Sequence, residues 1–438
     1  MLLLLYLRLA LSLKPLLLLP GIYGSNLIVT ASHHSSLWYC PVEIDHEILW
    51  VNHKYLVPPF YNCLFELLQC DYDETTNEIT PIPGVHVDVQ DFGGDKGLSY
   101  VDHGIGDIHV VRSLDHLIGT LESLGYKIHK DLFGLPYDWR LALSGFESNN
   151  FYEKLRLKIE KAYRINNNQK VTLLGYSYGG LVVQHFLTYV MDNEWKNKYV
   201  EKIIFLAPAF SGSATAIEAL WKHSIPILSF LKSDEIQMAI QKIPVIYSMI
   251  PNFEVFNEIP LVYAPNNKMI YPKDFPQFLL DNNKIQKIGH QIMNKSLPYI
   301  KSAPREIGLP VYLMYNDGHD TLAAYNMTDG ITDDPAQIKM PGDATLTAFG
   351  QEYPCRGWNN EHPLVCHNFN MKEYHFYHMT MSYNPYVEHL IFNLTNNDEW
   401  TKIKGKRKIV GPFVEIFDEN NSYCERPDIR EKVEMQLP

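Results

Sequence analysis

The stretch Gly175-Tyr176-Ser177-Tyr178-Gly179 constrains this chain more than any other, because of what stands on either side of it. The apolar run Val171-Thr172-Leu173-Leu174 precedes it and Leu181-Val182-Val183-Gln184-His185-Phe186-Leu187 follows, so the pattern predicts a strand, a sharp turn and a helix with one serine at the apex. The two glycines leave room for a turn whose central residue takes a backbone conformation that is ordinarily excluded. Such a turn lifts the Ser177 hydroxyl above the sheet edge. The free N–H groups at the helix start then face the place where an oxyanion would form, so nucleophile and electrostatic stabiliser share one turn.

Elsewhere short apolar runs alternate with amphipathic helices, the mark of a mainly parallel sheet with helices on both faces. With the nucleophile elbow at Ser177, this predicts the α/β-hydrolase fold class. Strands are expected near 14–20, 126–133, 170–175, 200–207 and 309–315, with the elbow on the fourth or fifth strand. Leu114, Leu117, Ile118, Leu121 and Leu124 fall on one helical face that ends at Gly125, and Phe151, Leu155, Ile159 and Ala162 form a second such stripe. A chain of 438 residues, 46% of them hydrophobic, can bury one large core. The expected organisation is a single catalytic domain, 14–438, with two insertions that break the alternation. One is 38–75, where Trp50, Tyr55, Phe60 and Tyr61 present apolar side chains between cysteines; the other is 210–260, read as a lid and rich in residues such as Trp221, Ile243 and Tyr247.

The net charge of −12, with no long basic run, excludes nucleic acid as a partner. Residues 1–13 are nearly all leucine and read as a short secretory signal that lacks a basic n-region, the alternative being a further strand of the mature fold. Six cysteines contain no C-x-x-C pair, so neither zinc nor any other cofactor is called for, and export permits disulfides. Asn294, Asn326, Asn393 and Asn420 each head an N-x-S/T triplet, a weak addition to the case for export.

A serine nucleophile needs a base to take its proton and an acid to hold that base in the right tautomer, and in this fold they follow in the order Ser, Asp, His. For the acid, Asp343 lies in the Gly-preceded loop Pro341-Gly342-Asp343-Ala344-Thr345-Leu346. Its competitor is Asn316-Asp317-Gly318-His319-Asp320-Thr321, which follows the apolar run 311–315. For the base, His375, His378 and His389 cluster near the end; His378 falls on a loop, whereas His389 falls inside a helix expected from Asn384.

Several separated segments together resemble the lecithin:cholesterol acyltransferase family, which includes lysosomal phospholipase A2. Pro20-Gly21-Ile22-Tyr23-Gly24-Ser25-Asn26-Leu27 is similar to the family's opening loop, and Pro136-Tyr137-Asp138-Trp139-Arg140 to its most characteristic string. Leu206-Ala207-Pro208-Ala209-Phe210, Gly342-Asp343-Ala344-Thr345-Leu346 and His378-Met379-Thr380-Met381 resemble later family segments in the same order. The resemblance implies Ser177 as nucleophile, Asp343 as acid, His378 as base, and the backbone N–H groups of Ile22 and Tyr178 as the oxyanion hole. It also implies a disulfide between Cys40 and Cys63, with Cys70 the lesser candidate, in a membrane-binding lobe. Leu313 stands where sterol-esterifying members carry cysteine, which leaves Cys355 to pair with Cys366; Cys424 has no counterpart.

The activity so implied is a serine acyltransferase and phospholipase A that passes an acyl group from glycerophospholipid to water or to a lipid alcohol such as a sterol or ceramide. A phospholipid membrane or lipoprotein surface would be the partner, and the destination secreted or lysosomal. A neutral lipase or carboxylesterase and a non-catalytic lipid-binding protein are the rival readings. Tyr176 departs from the family's usual histidine, so contacts around an acyl chain are expected to differ. Asp138 and Arg140 are expected to form a buried ion pair that fixes a loop, not to supply the acid.

Overall fold

The computed structural model describes residues 13–403 apart from 33–34, 36, 103–110, 224–233 and 360, together with the backbone of 406–410. Residues 1–12 of the expected export signal, the middle of the expected lid, Asn420 and Cys424 lie outside the described residues.

Leucine-rich and β-branched runs that have no polar side to offer must be covered on both faces, and they build the central sheet. Its strands are β1 (Leu16–Leu19), β7 (Leu132–Gly134), β8 (Val171–Tyr176), β9 (Val200–Leu206), β12 (Val311–Tyr315), β15 (Leu364–Asn368) and β16 (Lys406–Val410). They lie in the order β16-β15-β12-β9-β8-β1-β7, and every neighbouring pair is parallel. Side chains alternate between two cores: Leu17, Leu173, Ile203 and Phe205 face one, and Leu16, Leu18, Leu174, Ile204 and Leu206 the other. Each of these fully buried side chains contributes roughly 1.5–3 kcal/mol relative to exposure. The helix Phe151–Ile165 closes the first face with Phe151, Leu155, Ile159 and Ala162, the stripe read from the sequence. The helices Asp115–Ser123 and Pro385–Asn396 close the second, the former stopping at Gly125, whose φ of +107° is left-handed.

Three expectations need correction. Trp50 and Tyr55, expected to present apolar side chains on the 38–75 insertion, are each 1% exposed and lie in the core, where the Trp50 indole N–H donates to the Tyr23 carbonyl at 3.0 Å. The strand forecast over 126–133 is confined to Leu132–Gly134, because residues 126–131 turn on themselves, with Lys127 N donating to the Asp131 carboxylate at 2.6 Å. The elbow strand, expected as the fourth or fifth strand of the domain, is the eighth in chain order and the third within the central sheet. The intervening strands leave the main sheet: β2 (Leu27–Ser32), β3 (Glu43–Trp50) and β6 (Val85–Val89) pair among themselves, as do β4 (Cys70–Asp73) and β5 (Glu78–Pro81). The small lobe therefore draws in residues on both sides of 38–75. A last sheet, β11-β10-β13-β14, consists of β10 (Val262–Ala264), β11 (Lys268–Ile270), β13 (His319–Asn326) and β14 (Ala336–Gly342). Its β14 ends at the loop that carries Asp343.

The segment 210–260 contains the helices Thr215–Lys222, Asp234–Ile240 and Pro244–Ser248. Cys40 is bonded to Cys63 and Cys355 to Cys366, while Cys70 is a buried free thiol that burial pushes up to about 12, leaving it protonated and unreactive. Among the described residues no helix is long and apolar enough to cross a membrane.

Candidate active site

β8 runs into the helix Tyr178–His185 through Ser177, whose φ of 55° and ψ of −125° are the strained geometry expected at an elbow apex. The turn is possible only because the backbone packs without side chains in its way. A Cβ on Gly179 would lie 2.4 Å from the Pro20 carbonyl oxygen, and one on Gly21 would lie 2.8 Å from the Ser177 Cβ. The loop Pro20-Gly21-Ile22 is thereby pressed against Ser177. Ser177 is further fixed by its main chain: its N–H donates to the Leu206 carbonyl, and its carbonyl accepts from Gly180 and Ala209.

Three residues remote in sequence meet at this apex. His378 Nε2 lies 2.9 Å from Ser177 Oγ, and His378 Nδ1 lies 2.8 Å from Asp343 Oδ2. A carboxylate can only accept, so Nδ1 carries the proton and Nε2 is left to accept from the serine hydroxyl. Asp343 is fully buried, and its other oxygen accepts from the N–H groups of Thr345 at 3.0 Å and Leu346 at 2.7 Å. The loop itself is pinned by Thr321, whose hydroxyl accepts from Ala344 N at 2.9 Å.

The competing residues lie elsewhere. Asp320 is exposed on β13 opposite Pro341, and Asp317 is held by the Asn368 amide at 2.7 Å, joining the ends of β12 and β15. His389 sits in the helix Pro385–Asn396, with Nδ1 bonded to the Pro385 carbonyl at 2.8 Å, and His375 packs edge-on to Tyr374. Tyr178 opens the elbow helix, where the first N–H groups have no partner inside the helix, and its phenol bonds Ser248 at 2.9 Å. Ile22 follows Gly21 in the loop against Ser177.

Around the site, Arg140 and Asp138 form a buried bidentate pair, with Nε to Oδ1 at 2.9 Å and Nη2 to Oδ2 at 2.7 Å. Trp139 between them packs edge-on to Tyr23 and Trp50, and Tyr137 donates to the Pro20 carbonyl at 2.8 Å. The string thus braces the opening loop. One contact is not foreseen from sequence: the Tyr176 hydroxyl donates to the main-chain carbonyl of His378. Its position beside Ser177 was visible, but nothing in the sequence says which remote loop a phenol will reach.

A parallel sheet with helices on both faces and a serine at the apex of a strand–turn–helix elbow defines an α/β-hydrolase. The lecithin:cholesterol acyltransferase family model matches residues 46–297, more than half of the chain, and the chain belongs to that family. Phosphatidylcholine-sterol acyltransferase of Mus musculus is 27% identical over 384 residues, covering 86% of this chain and 84% of its own. Lecithin-cholesterol acyltransferase-like 1 of Arabidopsis thaliana is 28% identical over 355 residues, 76% of this chain and 80% of its own. Lysosomal phospholipase A and acyltransferase of Bos taurus is 29% identical over 223 residues, half of this chain and 53% of its own.

Proposed function

We propose that the protein is a serine acyltransferase and phospholipase A that acts on glycerophospholipids. Ser177 attacks the ester carbonyl while His378 takes its proton, Asp343 steadies the imidazolium, and the N–H groups of Ile22 and Tyr178 hold the tetrahedral oxyanion. His378 then protonates the departing lysophospholipid, leaving an acyl-enzyme. Water or a lipid alcohol attacks that ester with its proton passing to His378, which returns it to Ser177 Oγ as the acyl–Oγ bond breaks and free fatty acid or a new ester leaves. The observation that supports this best is the continuous relay from Asp343 through His378 to Ser177, at 2.8 and 2.9 Å. The chemistry of the substrate rests on the relatives. In the test, purified protein is incubated with vesicles of labelled phosphatidylcholine containing cholesterol and ceramide, beside triglyceride emulsions. Labelled fatty acid or a labelled acyl-lipid from the vesicles is expected. Turnover of triglyceride alone would point to a neutral lipase, and no turnover of either to a silent lipid binder.

Residues 38–75 serve in this reading as the lobe that seats the enzyme on a phospholipid membrane or lipoprotein surface. Trp38 is 93% exposed, and Val42, Val57 and Phe60 of the same segment, which the Cys40–Cys63 disulfide ties, are exposed as well. Tryptophan is suited to a membrane interface. Trp38→Ser is expected to lower the rate on vesicles about tenfold by weakening adsorption, and to leave hydrolysis of a water-soluble ester unchanged. Equal loss on both substrates would count against the lobe. The segment 210–260 acts as the lid over the acyl chain. It is tied to the catalytic loops where Ser213 donates to the Thr345 carbonyl at 2.7 Å and where Ser248 meets Tyr178.

A further inference from the structure

The residue just before the nucleophile reaches the base by a route that does not pass through the nucleophile. Tyr176 is buried at the end of β8, and its hydroxyl donates to the main-chain carbonyl of His378. Its ring also lies over the imidazole, with centroids 5.6 Å apart and planes 24° from parallel. On its other side, the main-chain N–H of His378 donates to the Asp343 carbonyl at 2.8 Å. Both peptide groups of the base residue are thus used. One is tied to the strand that carries the serine, the other to the loop that carries the acid.

We propose that Tyr176 is the positioning residue for His378, setting the place and the plane of the imidazole so that Nε2 meets Ser177 Oγ. The proposal rests on the reading of Ser177, His378 and Asp343 as the reacting set. His378 lies on a loop between two short 3-10 turns, Tyr374–Phe376 and Met381–Tyr383, and has no strand or helix of its own to hold it. A side chain on the rigid elbow strand supplies that rigidity. Burial holds the phenol well above its usual titration range, so it stays a hydrogen-bond donor wherever the protein is folded. Because reacting atoms must be aligned within a fraction of an ångström, a base allowed to drift costs rate and not substrate binding.

The test compares Tyr176→Phe, Tyr176→Leu and His378→Ala with the unaltered chain on a water-soluble ester, with kcat referred to the fraction of chain that unfolds cooperatively. Phenylalanine keeps the stacked ring and removes the hydroxyl. It is expected to lower kcat about tenfold at unchanged KM, while leucine, which removes both contacts, lowers it about a hundredfold and His378→Ala is silent. If Tyr176→Phe keeps full kcat while His378→Ala is silent, Tyr176 is not the positioning residue. Loss of activity only in proportion to lost folded protein overturns the proposal as well. An active His378→Ala would instead overturn the underlying assignment of the base.

Discussion

Replacing Ser177 with alanine is expected to lower kcat about a millionfold, and adding His378→Ala or Asp343→Asn to that variant is expected to cost nothing more. In the proposed mechanism the three side chains act as one proton relay, so once the Ser177 hydroxyl is gone the other two have nothing left to do. Asp343→Asn alone is expected to cost about ten-thousandfold. An asparagine amide would donate to Nδ1, forcing the proton onto Nε2, where it would face the serine hydroxyl that Nε2 must accept from. The buried carboxylate also accepts from Thr345 and Leu346, and an amide oxygen can keep those two bonds, so the loop survives while the tautomer is wrong. Steady-state turnover of the single and double variants, beside Asp320→Asn, His375→Ala and His389→Ala as controls, decides the matter. Losses that multiply in the double variants would mean that the residues act separately. A dead Asp320→Asn with an active Asp343→Asn would move the acid to β13.

What the sequence disclosed about this site follows the range of the interactions involved. The elbow is legible because the pattern that announces it is continuous in sequence, an apolar strand, two glycines and an apolar helix within residues 171–187, although Pro20, Gly21, Leu206 and Ala209 complete its packing from afar. Asp343 and His378 are different. Physical reasoning alone left Asp320 and His375 open, and only the resemblance of their flanking residues to a family separated them. The convergence of Asp343 and His378 on Ser177 depends on β14, which the alternation of runs did not reveal, because its residues alternate exposed and half-buried at the rim of a small sheet. The strands within 27–89, which the alternation of runs also does not reveal, pair in small sheets of their own outside the main sheet. Tyr176 was noticed only as a departure. Its partner lies 202 residues away, and no local pattern encodes that reach.

The largest expected loss of stability lies outside the relay, at Arg140. Its guanidinium is fully buried, makes two bonds to Asp138 and donates a third, at 3.2 Å, to the Leu67 carbonyl in the helix Tyr61–Leu68 of the small lobe. Its own carbonyl accepts from Val245 at the start of the helix Pro244–Ser248. One residue therefore joins the small lobe, the segment 210–260 and the string that braces the Pro20-Gly21-Ile22 loop. Arg140→Met would leave the Asp138 carboxylate buried without its counter-charge, and removal of one partner from such a pair costs about 3–5 kcal/mol. The double variant Arg140→Met, Asp138→Leu removes both charges and is expected to regain at least half of that loss, because the pair itself is worth little against well-packed apolar side chains. Chemical denaturation at constant m-value measures both differences. A catalytic role for Asp138 predicts the opposite ranking in activity, with the double variant folded yet inactive. A bracing role predicts that the folded double variant turns over soluble ester at a rate close to that of the unaltered chain, since neither side chain touches the relay formed by Ser177, His378 and Asp343.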